Sequence, residues 1–208
     1  TGVQTCALPI YLGAVKAGGI VDCEIVADRY LEARARIVAA ARMSDLVVMT
    51  PAAEVMEARH DVMRALLFES GRPLLLVPPG WDKAPAWKRV VVAWDGGAPS
   101  ARALGDAMPF IEDAESVEIV SVTPDPRKAF GAAALGAHLA RHCKATQVTE
   151  LPVRDGDIGK TIREHAHLTR ADLVVMGAYG HSRMWELVLG GVTSDAIGNL
   201  TTPTLVAH

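Results

Sequence analysis

The residues best suited to chemistry lie in a glycine-rich stretch near the end of the chain. The sequence "MGAYGHSRMWELVLGGVTS", residues 176–194, places Gly177 and Gly180 three apart, with Gly190 and Gly191 after nine intervening residues. Glycine tolerates positive φ and lets a backbone approach phosphate oxygens without a Cβ in the way. The spacing therefore fits a loop that holds the phosphates of a nucleotide, and it equally fits glycines that only close a turn.

The segments around this loop predict where it lies in a fold. The apolar run at residues 173–176 predicts a strand that leads into the loop, and "VTSDAIGNL" predicts a helix that follows it. A helix N-terminus offers free N–H groups and a partial positive charge. Parallel α/β sheets bind ligands at the carboxyl ends of their strands, so the loop is predicted to lie at a ligand-binding edge.

Composition excludes several classes of protein. The chain has 208 residues, half of them hydrophobic, which is enough for one large or two small domains, and its net charge of −3 argues against a nucleic-acid partner. The sequence has no apolar run of the roughly 18–20 residues that a membrane span needs. Three cysteines without a CxxC pair indicate a reducing compartment. We therefore expect a cytoplasmic protein with neither nucleic acid nor membrane as a partner.

The first ten residues are not expected to belong to the native protein. The stretch "TGVQTCALPI", residues 1–10, resembles the in-frame translation of a widely used short-read sequencing adapter. We therefore expect residues 1–10 to be an artefact of sequence assembly and leave them out of the fold prediction. On this interpretation Cys6 is not native, and the natural N-terminus is missing together with any targeting segment on it.

The sequence also contains an internal repeat. "SDLVVMT" at residues 44–50 matches "ADLVVMG" at 171–177, and the proline-led strands "RPLLLVPP" and "TPTLVAH" follow at residues 72–79 and 202–208. The offsets between the two copies are nearly equal, and each copy is preceded by a helical pattern. The repeat predicts two related domains. They are a truncated first domain at 11–79 and a complete second domain at 89–208, joined by a linker at 80–88.

The second domain alternates predicted strands and helices. This order is typical of a doubly wound α/β fold with a five-stranded parallel sheet. Ser100 and Asp157 are predicted to cap two of its helices. The first copy lacks the segments for its first two strands and first helix. We therefore expect it to be frayed, or to be held only by the second domain.

These motifs resemble the universal stress protein family, whose nucleotide loop has the pattern G-x2-G-x9-G after the fourth strand. "VAWDGGAPSARAL" is similar to the first strand of that family, which an aspartate ends beside the nucleotide. The resemblance implies a Rossmann-like fold, which also occurs in tandem in this family. It also implies a site for adenine nucleotide, with Val122 placed near adenine. The implied binding residues are Asp95, Val122, Gly177, Gly180, Gly190, Gly191, Val192 and Thr193.

One departure from the family pattern weakens the predicted site. ATP-binding members carry Ser or Thr after the last glycine, whereas Gly191 stands there in this chain. The loss is one hydroxyl contact, which is worth about 0.5–1.5 kcal/mol, and Thr193 and Ser194 could compensate in part. The first copy has "TPAAEVMEARHDV" in place of the loop and contains no glycine there, so we expect no nucleotide in that half.

Other motifs do not predict catalysis or a metal site. "RDGDIGKT" at residues 154–161 has Arg154 where a P-loop needs glycine. His138 and His142 lie four residues apart without a third ligand, and His165 and His167 cannot share a helix face. Asp95 has no Ser–His or Cys–His pair near it in sequence. We therefore expect a protein that is not an enzyme and has no catalytic or metal-ligating residues.

The resulting hypothesis is a stress-response regulatory module that binds ATP, with accompanying Mg²⁺, in its second domain without significant catalysis. The alternative is a ligand-free scaffold or dimerisation protein of the same family. The apolar strand at 202–208 is expected at a sheet edge. There it could pair with another chain or with the strand at 72–79 of the first half.

Overall fold

The computed structural model describes residues 30–50, 57–82, 86–123, 131–178 and 200–208. The first part of the chain contains α1 (Tyr30–Arg42), β1 (Val47–Met49), α2 (Glu57–Glu69) and β2 (Leu74–Leu76). The second part contains β3 (Arg89–Ala93), α3 (Ala98–Asp113), β4 (Ser116–Val122), α4 (Ala132–Leu139), β5 (Thr146–Leu151), α5 (Ile158–Leu168), β6 (Leu173–Gly177) and β7 (Thr204–Ala207).

The seven strands of the described residues belong to one sheet with the order β1-β2-β7-β6-β3-β4-β5. The five strands β3 to β7 pair in parallel, which confirms the predicted five-stranded parallel sheet. Their short apolar runs suit strands that are buried on both faces. The chain moves outward from β3 through β4 to β5, and then crosses to β6 on the other side of β3. The strand order therefore reverses between β3 and β6.

The first half of the chain joins this sheet through its last strand. β2 pairs antiparallel with β7, and Leu75 lies opposite Leu205. Of the two pairings expected for the strand at 202–208, the structure thus forms the one with the first half of the chain. β7 is consequently not an edge strand, and β1 and β2 extend the sheet that the second half builds.

The two strand pairs that contain the matching sequences share one register. Val47 lies opposite Leu74 in the first pair, and Val174 lies opposite Thr204 in the second. The first backbone hydrogen bond is also equivalent, because Val47 N donates to Pro73 O at 3.0 Å and Val174 N donates to Pro203 O at 2.9 Å. The offsets of 127 and 130 residues found in the sequence therefore align the two strand pairs residue by residue.

Helices cover both faces of the sheet. On one face α3 and α4 bury Ala107, Ile111 and Leu139 against strand residues such as Val92. On the other face α2 and α5 contribute a second buried cluster that contains Met63. The alternation of strand side chains between the two clusters follows the period of two that a strand imposes. This is the doubly wound arrangement that the strand and helix order predicts.

The two predicted helix caps have different outcomes. Asp157 caps α5, since its Oδ1 accepts the N–H of Lys160 at 2.9 Å. The prediction for Ser100 is wrong, because α3 begins at Ala98 after Gly97, and the Ser100 hydroxyl donates to Gly97 O at 2.8 Å. Pro99 has the fixed φ that suits a first helical turn, and it places the start of α3 before Ser100.

None of the helices in the described parts of the chain is long and apolar enough to cross a bilayer.

Candidate functional site

Three of the predicted site residues meet at one edge of the sheet. Asp95 follows β3 by two residues, whereas Val122 ends β4 and Gly177 ends β6. Ala93 lies opposite both Met176 and Val120, so the three strands reach this edge at the same level. The predicted residues that lie outside the described parts of the chain are Gly180, Gly190, Gly191, Val192 and Thr193.

Asp95 is an exposed carboxylate in the turn between β3 and α3. Its Oδ1 accepts the backbone N–H of Gly97 at 2.9 Å, and Gly96 has the left-handed φ of +77° that the turn requires. Gly97 is the residue that precedes the first turn of α3. The carboxylate therefore lies at the positive end of a sixteen-residue helix, where a negative charge is favoured.

Gly177 is the point at which α3 touches the end of β6. A Cβ built on Gly177 would lie 2.3 Å from the backbone N of Ser100 and 2.5 Å from the carbonyl carbon of Pro99. Both neighbours are backbone atoms, so no rotamer change could relieve the overlap. Glycine at this position allows the N-terminus of α3 to approach the sheet, and the approach places that N-terminus beside the strand reversal.

Val122 contributes an apolar surface at the same edge. It is half-buried and packs against the hydrophobic cluster on the face of the sheet that α2 and α5 cover. Leu151 and Ile158 pack against this cluster in the same way. The edge therefore combines an acidic group at the end of β3 with apolar side chains toward β4 and β5.

Together these features define a class of protein. The molecule is a doubly wound α/β protein with a candidate ligand site at the topological switch point between β3 and β6.

The family assignment agrees with this class. Residues 86–208, more than half of the chain, match the model of the universal stress protein family. The chain belongs to this family. No functionally curated protein sequence matches it.

Two solved structures of the family have a fold similar to that of this chain, and a third is similar over a smaller part of it. A universal stress protein from Archaeoglobus fulgidus DSM 4304 is similar to 84% of the chain, with a TM-score of 0.65 and 18% identity. The chain spans 64% of that longer protein. A protein from Pseudomonas aeruginosa UCBPP-PA14 assigned to the same family has a TM-score of 0.54 and 13% identity, and the match covers 86% of this chain and 68% of that one. A universal stress protein solved in complex with cAMP matches 59% of this chain and 98% of its own length, with a TM-score of 0.42 and 21% identity.

A buried polar cluster under α5 was not predicted from the sequence. The Nε2 atom of His165 lies 3.0 Å from Oε1 of Glu118, and both side chains are more than four-fifths buried. The same Oε1 accepts the hydroxyl of Thr149 at 2.6 Å, whereas Nε2 itself makes no hydrogen bond to the described residues. The spacing along the sequence relates His165 only to His167 on the same helix. Its position on the buried face of α5 was the feature that could have indicated a partner on the sheet.

The remaining charged motifs have local partners. The sequence at 154–161 forms the turn before α5, where the Lys160 ammonium and the Asp155 carboxylate bind each other. This pair raises the pKa of Lys160 and lowers the pKa of Asp155. The rings of His138 and His142 are 5.0 Å apart. The described residues contain no group of three or more His, Cys, Asp or Glu side chains that could hold a metal ion.

Proposed function

We propose that the chain is a cytoplasmic stress-response module whose second domain, residues 89–208, binds adenine nucleotide, with Mg-ATP as the ligand, and does not turn it over significantly. One observation carries this proposal. The exposed Asp95 carboxylate lies at the N-terminus of α3, and this N-terminus packs on Gly177 at the strand reversal between β3 and β6. Doubly wound sheets bind nucleotides at this point.

The negative charge at this edge suggests which part of the nucleotide each part of the site contacts. Asp95 repels phosphate, and its carboxylate is suited to accept hydrogen bonds from ribose hydroxyl or adenine amino groups. Val122 adds apolar surface for a base. The phosphates are then left to the backbone N–H groups of the glycine-rich stretch 177–191, which carries no acidic side chain except Glu186.

The same residues argue for binding without catalysis. Phosphoryl transfer needs positive charge aimed at the transferred group, usually from a metal ion together with a lysine or arginine. Lys160, at the start of α5, is engaged by Asp155 and lies 3.9 Å from Glu164. The glycine-rich stretch contributes only His181 and Arg183 as cationic candidates. A regulatory role, in which the bound nucleotide stabilises one state of the protein, suits this set of residues.

Thermal unfolding of the whole chain with and without Mg-ATP tests the proposal. Ligand at about one hundred times its dissociation constant stabilises by about 2.7 kcal/mol. For a protein of this size that corresponds to a rise in Tm of about 5–10 °C. Asp95→Ala should weaken binding about tenfold, because it removes a hydrogen bond to a charged acceptor. Asp113→Ala is the matched control, since Asp113 is an exposed aspartate at the opposite end of α3.

A ligand-free scaffold is the second candidate, and the junction between the two halves favours it. Besides the pairing of β2 with β7, Phe68 packs edge-on against His208 with ring centroids 4.9 Å apart. Arg102 of α3 also donates to the carbonyl of Gly71 at 3.3 Å. An unchanged Tm with Mg-ATP in a well-folded chain would contradict nucleotide binding and support the scaffold. A rise in Tm that Asp95→Ala leaves intact would contradict the role assigned to Asp95.

A further inference from the structure

Two buried titratable side chains lie between α5 and the sheet. His165 of α5 and Glu118 of β4 have Nε2 and Oε1 3.0 Å apart, and their side chains are only 17% and 16% exposed. Thr149 of β5 donates its hydroxyl to the same Oε1 at 2.6 Å. The proposed binding of nucleotide does not use these three side chains. Burying ionisable groups costs free energy unless they are paired or hydrogen-bonded, so their contact with each other matters for stability.

The contact between the two side chains is incomplete as a hydrogen bond. Their separation is within hydrogen-bonding range, yet Nε2 is buried and makes no hydrogen bond to the described residues. A neutral imidazole carries either a hydrogen or a lone pair on Nε2, and a lone pair there would face a carboxylate oxygen. A protonated imidazole always has a hydrogen on Nε2 and places a positive charge beside the carboxylate. Protonation of His165 therefore completes the contact with Glu118.

Charged and polar groups on the neighbouring strands do not compete for this contact. By the alternation of strand side chains, Arg89 at the start of β3 is on the same face of the sheet as Glu118. Its guanidinium is engaged elsewhere, 3.5 Å from the carboxylate of Asp172. On β5 the neutral Gln147 donates to the hydroxyl of Thr149 at 3.2 Å. The strands thus offer His165 one carboxylate, that of Glu118.

The titratable and charged residues beside His165 on α5 also have other surroundings. Glu164 lies 3.3 Å from the guanidinium of Arg154 in the turn before the helix. Arg163 lines a small cavity that α5 shares with β6 and β7. His167 is exposed. The charge of His165 therefore acts mainly on Glu118.

We propose that His165, Glu118 and Thr149 form a pH-sensitive contact that holds α5 on the sheet. When His165 is protonated, Nε2–H donates to Oε1 of Glu118, and a charge-assisted hydrogen bond joins the helix to β4. When His165 is neutral, the buried carboxylate keeps the hydroxyl of Thr149, and α5 is held less firmly. Histidine changes charge between about pH 5 and pH 8, so the contact responds within the physiological range.

The helix α5 connects this contact to the candidate nucleotide site. Ile158, its first residue, packs against the same hydrophobic cluster as Val122 at the carboxyl edge of the sheet. His165 lies about two helical turns further along. A change in how firmly α5 is held is therefore expected to extend to the turn beside the site. The contact itself requires no nucleotide, so it can be tested in the free protein, independently of the proposed binding.

Thermal unfolding of the whole chain between about pH 5.5 and pH 8 tests the contact. His165→Gln keeps a polar side chain that cannot be protonated. The Tm advantage of the wild type over this variant should shrink by about 3 °C or more as the pH rises, because the folded state then loses the proton that stabilises it. Glu118→Gln should remove the same pH dependence. His167→Gln, which changes an exposed histidine of the same helix, is the matched control and should keep it.

Parallel pH profiles of the wild type and His165→Gln would overturn the proposal, and so would an equal loss of pH dependence in His167→Gln. Hydrogen exchange of the wild type gives a second test that does not depend on a folded variant. After correction for the intrinsic effect of pH, the amides of α5 should exchange about threefold or more slowly at pH 5.5 than at pH 8, relative to those of α3. An unchanged ratio between the two helices would equally overturn the proposal.

Discussion

The β1–β2 and β6–β7 strand pairs share a register but differ in what surrounds them. Leu173 and Val175 in β6 are fully buried, whereas Leu46 and Val48 at the equivalent positions of the first repeat remain in part exposed. The reason is the neighbour on the far side, because β3 and α3 pack against β6. The same local sequence therefore makes a buried central strand in one half and a terminal strand in the other.

The residues that end these two strands show how packing and the candidate site are connected. Gly177 ends β6, and its equivalent after β1 is the exposed Thr50. A Cβ is excluded at Gly177 because the N-terminus of α3 lies against it. Gly177, which the family pattern assigns to the loop, is thus also required for the close approach of α3, the helix whose N-terminus lies beside the Asp95 carboxylate.

The largest expected difference in the free energy of unfolding is between substitutions at Gly177, the end of β6, and at Thr50, the residue after β1. Gly177→Val should destabilise the protein by about 3 kcal/mol, since its Cβ would overlap backbone atoms of α3. The matched change Thr50→Val should alter the free energy of unfolding by less than about 0.5 kcal/mol, as an exposed substitution usually does. Urea unfolding of both variants measures the difference. Equal costs would show that α3 does not constrain the end of β6.

A second pair of substitutions compares the strand interiors. Val175→Ala should cost about 2 kcal/mol, because it removes two buried methyl groups and leaves a small cavity. Val48→Ala should lower the free energy of unfolding by less than about 0.5 kcal/mol, because the Val48 side chain is 44% exposed. Chemical unfolding gives both values. A large cost at Val48 would mean that β1 is covered, and would contradict the exposure on which the comparison depends.

A third prediction compares the helices that precede these strands. By the 127-residue offset, His165 of α5 is equivalent to Val38 of α1, which is 4% exposed, and the side chain of His165 is more than four-fifths buried. His165→Val should leave Glu118 with Thr149 as its partner and cost about 1 kcal/mol. A double-mutant cycle with Glu118→Gln should give a coupling energy of about 0.5–1.5 kcal/mol. Additive costs would show that the 3.0 Å contact contributes no stability.

The smallest effect concerns the start of α5. The hydrogen bond from Lys160 lowers the pKa of Asp155 below its ordinary value of 3.8, so the folded state favours the charged carboxylate. This contribution to stability is present above about pH 4, and it is lost as the pH falls through the lower folded-state pKa. Asp155→Asn should flatten the acid limb of a plot of Tm against pH. Asn also tolerates the positive φ of 52° at this position, so the backbone is kept. An unchanged acid limb would contradict the role of this pair.

Much of the second half of the chain was predictable because its features are local. The strand and helix order, the parallel sheet and the Asp157 cap follow from apolar runs and from residues within one turn of each other. The start of α3 was predicted wrongly because two adjacent residues, Pro99 and Ser100, both favour helix N-termini. The contact of His165 with Glu118 joins residues on different elements, and periodicity along one helix does not reveal it.

The sequence by itself determined the alternation of strands and helices, the repeat with its offsets, and the presence of an aspartate and a glycine after two central strands. Hydrophobic periodicity and turn chemistry are sufficient for these features, since each depends on neighbouring residues. Only the tertiary structure decided that β2 and β7 pair antiparallel, that Gly177 lies against α3, and that Val48 is exposed while Val175 is buried. Each of these features depends on which distant element packs against a strand. Matching local sequences, such as those of β1 and β6, do not reveal which element that will be.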